Sequence, residues 1–155
     1  MFILIRALTY ATFFIGFVLV ALPAWVAGPA GLERPAAMGW PQVLGAIMLV
    51  IGAAVTVSCI LTFVAIGRGT PAPFDPPRRL VDRGPYAIVR NPMYIGAILA
   101  LLGAAAFYRS QAIAGYAAAF FVVMHLFVIA YEEPTLRNTF GPAYDDYCGR
   151  VRRWI

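Results

Sequence analysis

The residues of this chain that could do chemistry fall in three short segments. The first is Leu80-Val81-Asp82-Arg83-Gly84-Pro85-Tyr86, an apolar pair, a turn and an aromatic. On pattern alone it reads as a connecting loop that carries the inside-positive charge. The second is Arg90-Asn91-Pro92-Met93-Tyr94-Ile95-Gly96. Asn is a favoured helix N-cap and Pro a favoured first helical residue, so a helix is expected to start at Pro92. Its unpaired first-turn amides, with Arg90 beside them, would attract an anion such as a carboxylate. The plainer alternative is a capped helix with an interfacial Arg and Tyr. The third segment runs from His125 to Glu132-Glu133-Pro134. His125, Val128 and Glu132 share one helical face, and two adjacent carboxylates at a membrane boundary are unusual. Alternatively, Glu133 pairs with Arg137 one turn on, both acids end the helix in water before Pro134, and His125 only bonds a neighbouring helix.

The elements that hold these segments must be membrane helices. The chain has 155 residues, of which 62% are hydrophobic and 12% charged, with a mean hydropathy of +0.79. A soluble domain has about 25% charged residues, so soluble, disordered and disulfide-scaffold classes are excluded. Cys59 and Cys148 are too few and too differently placed for a disulfide framework. A spanning helix needs about 20 apolar residues. Four runs qualify, at about 7–27, 43–66, 92–107 and 111–131, the third being short. None alternates as a barrel strand does. The first continues too far, without a small-residue cleavage site, to read as a cleaved signal. The expected fold is an all-α integral membrane protein, one domain over residues 1–155, with four transmembrane helices. A cytoplasmic loop (67–91) and an interfacial helical tail (132–155) complete it.

Arginine placement orients the chain. With both termini cytoplasmic, Arg6, Arg68, Arg78, Arg79, Arg83, Arg90, Arg137, Arg150, Arg152 and Arg153 lie inside and only Arg34 and Arg109 outside, as the positive-inside rule requires. Gly96, Ala100 and Ala104 on the third run, and Gly115 and Ala119 on the fourth, form small-residue stripes that would let helices approach closely. Gly67 to Pro77, rich in Gly and Pro, reads as an extended cytoplasmic strap. In the tail, Leu136, Phe140, Tyr144, Tyr147 and Val151 make one apolar stripe, suited to lying on the membrane surface or capping a cytoplasmic pocket. No acidic residue falls within the four runs, which disfavours a small ion-coupled transporter.

In order and spacing, Leu80-Val81, Gly84-Pro85-Tyr86, Arg90-Asn91-Pro92-Met93-Tyr94-Ile95-Gly96, Glu132-Glu133, Leu136, Phe140-Gly141, Tyr144 and Tyr147 resemble the isoprenylcysteine carboxyl methyltransferases and, more loosely, the phospholipid N-methyltransferases. The resemblance covers about residues 67–155. It implies an integral membrane methyltransferase that uses S-adenosylmethionine in a cytoplasmic pocket and acts on a lipophilic small-molecule or lipid acceptor. A location in the inner (plasma) membrane of a bacterium and no nucleic-acid partner go with it. Carried over, cofactor contacts fall on Leu80, Val81, Tyr86, Asn91, Pro92, Met93, Tyr94 and Glu132, with Arg78 and Arg79 flanking them. Arg90, His125 and Glu133 are the candidate catalytic residues, and no metal is expected. The family's histidine before the proline is Asn91 here. The arginine that the prenylcysteine enzymes set four residues before the cofactor glutamate is Val128, so an acceptor carboxylate would lack that partner. The rival from another class is a non-catalytic four-helix membrane scaffold.

Overall fold

The computed structural model of the protein describes residues 9–10, 12–33, 35–67 and 78–155. Among them there is no β-strand; a single isolated parallel bridge joins Val89 to Arg152. The helices are α1 (Phe14–Ala27), α2 (Trp40–Gly67), α3 (Pro92–Tyr108), α4 (Gln111–Phe140) and α5 (Pro142–Arg150). One-turn helices at Pro29–Leu32 and Gly84–Ala87 lie in the connections. α2 and α4 are long and apolar enough to cross a membrane, and α1 and α3 are shorter apolar helices. Most of the strap, residues 68–77, and the start of the first run lie outside the described residues.

α2 begins at Trp40, before the expected Val43, because Gly39 N–H donates to Gln42 Oε1 (3.0 Å) and Pro41 fits the first turn. α3 and α4 form the expected tight hairpin. Arg109 takes a left-handed conformation (φ 52°), Ser110 N–H returns to Ala105 O (2.9 Å), and Ser110 Oγ accepts from Ile113 N–H (3.4 Å). α4 does not end at residue 131. Pro134 lacks an N–H and crowds the preceding turn. The helix widens over Val128–Glu132, where Glu133 N–H reaches Val128 O five residues back, and then runs on to Phe140.

Of the two expected small-residue stripes, the one on α3 makes a close approach through Gly96 and Ala100 and the one on α4 does not. Gly45 and Gly52 of α2 meet Gly103 and Gly96 of α3, backbone against backbone. A Cβ on Gly52 would stand 2.5 Å from Ala100 N and Gly96 O, and one on Gly45 2.6 Å from Gly103 O. Thr56 Oγ1 stays beside this seam by donating to Gly52 O (2.9 Å). On α4, by contrast, Gly115 has nothing within 4 Å and Ala119 is exposed. The buried face there is Ile113, Ala117 and Phe120. The main core gathers Tyr94, Ala97, Leu101, Ala117, Phe120 and Val128 from α3 and α4, with Phe14 and Val18 of α1 against it. Tyr116 Oη donates to Val18 O (2.7 Å), tying α4 to α1.

Candidate active site

α3 starts and α4 widens at the same end of the molecule, and a cavity of about 450 Å³, mouth included, opens there. Of this, only about 40 Å³ is open to the centre of a water-sized molecule. Its walls are Phe63, Leu80, Val81, Tyr86, Arg90, Asn91, Val128, Glu132, Glu133, Leu136, Tyr144 and Tyr147. Of the expected cofactor contacts, Leu80, Val81, Tyr86, Asn91 and Glu132 line it. Tyr94 stands behind, its Oη donating to Glu132 Oε2 (3.1 Å). Pro92 is buried and Met93 packs between the two cores near it. Arg78 and Arg79 are exposed.

Each wall has a local cause. The turn after Gly84 (φ +61°), with Pro85 in its first position, folds Tyr86 inward. There it packs with Cys59 and Val81 and meets the Phe63 ring edge-on at 5.2 Å. Tyr147 Oη donates to Tyr86 O (2.7 Å), so α5 is fastened over this turn. Tyr144, Tyr147 and Val151 form a cluster with Leu80, Leu136 and Phe140, so the apolar stripe of the tail caps the cavity. Burial pushes the phenols of Tyr86, Tyr144 and Tyr147 above their ordinary range, and they stay neutral hydrogen-bonding groups at neutral pH.

Asn91 occupies the N-cap position but does not cap. Its Nδ2 donates to Arg153 O (3.0 Å), a tertiary partner that displaces the local one. Glu133 does not pair with Arg137, which instead meets Asp145 (2.8 Å) in the open. Glu133 takes a forked pair of hydrogen bonds from Arg153 Nε (2.7 Å) and Nη2 (2.8 Å), and Arg90 Nη2 lies 3.2 Å from the same carboxylate. The hydrogen bond to Glu133 keeps the Arg153 guanidinium firmly charged. The side chains of Arg90 and Glu133 are 13% and 11% exposed. Arg90 Nη1 contacts Cys148 Sγ, Arg90 N–H donates to Arg152 O (2.8 Å), and Arg90 Nε is buried without a protein partner.

His125 is not in the cavity wall. It belongs to a lateral aromatic group in which its Nδ1 accepts from Trp154 Nε1 (3.1 Å) and its ring stacks on Phe121 at 5.8 Å. That group borders an apolar groove lined by Ile95, Ile98, Leu99, Leu102, Phe121, Trp154 and Ile155. Sequence reasoning missed Arg153 and Phe63 as contributors to the site. The four arginines after Glu133 all read as inside-positive charge, and nothing local marks which one folds back.

Three features of the cavity suit a zwitterionic nucleoside. An apolar and aromatic wall is present, a carboxylate has one oxygen already oriented by a phenol, and a guanidinium has an orphaned buried N–H. The chain is 35% identical over 72 residues to the nickel-cobalt-cadmium resistance protein NccN of Alcaligenes xylosoxydans xylosoxydans, and equally to the cobalt-zinc-cadmium resistance protein CzcN of Cupriavidus metallidurans. Each match covers 46% of this chain and 33% of the relative, so the chain spans about a third of the length of these curated relatives. No solved structure matches it. The family profile described as phospholipid methyltransferase matches residues 40–143, from the start of α2 into the first turn of α5, and takes in every residue that lines the cavity except Tyr144 and Tyr147. On that match, with its apolar helices, the chain is a membrane protein that belongs to the phospholipid methyltransferase family.

Proposed function

We propose that the protein is a four-span, S-adenosylmethionine-dependent methyltransferase whose cavity faces the cytoplasm and whose acceptor is lipophilic. The observation that carries this reading is the Tyr94–Glu132 hydrogen bond (3.1 Å), which brings α3 and α4 together beside Arg90 at one cavity. When bound, S-adenosylmethionine supplies a methyl carbon activated by its sulfonium. The chain supplies binding, alignment and exclusion of water, which are what an in-line displacement needs. Glu132 holds the ligand's ammonium, because Glu133 is already taken by two guanidiniums. Arg90 holds the ligand's carboxylate through the face that carries its unpartnered Nε. Leu80, Val81, Phe63 and Tyr86 receive the adenine, and Tyr144 and Tyr147 roof it. Asn91, Pro92 and Met93 set the wall by fixing the start of α3. His125, outside the cavity, serves the acceptor side, at the border of the apolar groove that meets the lipid.

The test is titration of the purified protein in detergent with S-adenosylmethionine. One equivalent is expected to bind, and Glu132→Ala is expected to weaken binding at least tenfold. A wild-type protein that does not bind overturns the reading and favours a scaffold; undiminished binding by Glu132→Ala removes that residue's role.

A further inference from the structure

We infer that Arg153 is a positioning residue of the cofactor site. Its work is to occupy Glu133 so that the charge of Arg90 stays available to the carboxylate of the ligand. This rests on the methyltransferase reading above and adds a residue to it.

The argument begins with charge. Arg90, Glu133 and Arg153 form a group of two guanidiniums and one carboxylate, net +1. Within it the shortest contacts belong to Arg153, a forked pair at 2.7 and 2.8 Å, against 3.2 Å for Arg90. A fork on a carboxylate is the strong arrangement for arginine. Glu133 is therefore neutralised mainly from the tail. Arg90 is left with one longer contact to it, a contact with Cys148 Sγ, and a buried Nε with no partner. Arg90 and Glu133 both line the cavity, whereas Arg153 does not. Without Arg153 the remaining pair is net zero. The carboxylate of Glu133 would then close on Arg90, the guanidinium that remains in contact with it.

Geometry makes the tail able to do this. Consecutive residues are pinned to the segment before α3 and to α4: Arg152 O takes Arg90 N–H (2.8 Å), Arg153 O takes Asn91 Nδ2 (3.0 Å), and Trp154 Nε1 reaches His125 Nδ1 (3.1 Å). Three anchors within three residues hold the Arg153 side chain over Glu133, at little further loss of chain entropy.

The experiment compares two ligands, S-adenosylmethionine and its decarboxylated form, which keeps the sulfonium, the ammonium and the adenosine but lacks the carboxylate. Both are titrated into the full-length wild-type protein and into Arg153→Ala and Arg153→Lys. Arg153→Ala is expected to lose at least tenfold in affinity for S-adenosylmethionine and less than threefold for the decarboxylated ligand. Arg153→Lys, which keeps the charge without the fork, is expected to recover most of the loss. It also keeps the inference testable should the alanine variant not fold. Equal losses for both ligands would mean that Arg153 only braces the fold, and equal affinities in all three proteins would mean that it does nothing here; either result overturns the inference while leaving the methyltransferase reading intact. A wild-type protein that binds neither ligand overturns that reading itself, and this inference with it.

Discussion

At the scale of single residues, the site divides two adjacent acids between two tasks. Glu132 and Glu133 are neighbours in sequence, yet the wide turn at Val128–Glu132 gives them different surroundings. Glu132 meets one phenol and the cavity, while Glu133 meets two guanidiniums. A carboxylate beside an apolar wall is costly unless it is partnered, so Tyr94 orients Glu132 and leaves its other oxygen for a cation. Tyr94→Phe removes one hydrogen bond worth about 1 kcal/mol. It is expected to weaken S-adenosylmethionine binding roughly fivefold, as read by titration, with the helical signal in circular dichroism preserved. Affinity equal to wild type would show that the phenol does not set the acid. That Tyr94 and Glu132 are candidates for one site was legible in the sequence, since both sit in recognisable motifs, but their hydrogen bond was not. The partner of Glu133 was not, because an acid chooses among arginines by distance in space.

At the scale of elements, the α2–α3 seam decides where Leu80, Val81 and Tyr86 can stand, because α2 and α3 flank the loop that carries them. The seam is built by glycines that let backbones touch. Gly52→Ala would put a methyl group 2.5 Å from backbone atoms of α3. Overpacking of this kind costs about 1–3 kcal/mol. Thermal unfolding in detergent is expected to show a lowered Tm. Gly115→Ala, where nothing lies within 4 Å, is expected to shift stability by less than about 1 kcal/mol. Equal Tm values for the two variants would contradict the seam. Small-residue spacing suggested close packing on α3 and α4 alike, but spacing does not say which faces meet. Gly103 lies seven residues from Gly96 and, like it, faces α2, whereas Gly115 looks outward.

At the scale of the whole molecule, helix length sets the depth of the site. The stretch from Gln111 to Glu132 rises about 32 Å, close to the ~30 Å hydrocarbon thickness. Glu132 therefore comes out at one membrane boundary when Gln111 lies at the other. Trp25 and Trp40, 81% and 84% exposed, stand at the ends of α1 and α2 away from the cavity, where an aromatic belt belongs. The cavity then opens on the arginine-rich side. Labelling of intact cells with a membrane-impermeant maleimide is expected to mark Arg109→Cys and to spare Arg150→Cys, with the native Cys148 silent for the same reason. Labelling of Arg150→Cys from outside, with Arg109→Cys protected, would invert the orientation.

Sequence alone determined the apolar helices and their approximate limits, the tight α3–α4 link, and the two motifs that supply Asn91, Tyr94, Glu132 and Glu133. These follow from length, hydropathy and local turn chemistry, which act between near neighbours. Only the tertiary structure decided that the tail folds back to clasp Glu133 and Asn91, that α4 passes through Pro134 by widening, and that His125 faces a lateral groove. Each of those depends on contacts across 20 or more residues of chain or on relief of crowding within a packed helix. Such choices are made by competition among partners in space, and local pattern carries no record of it.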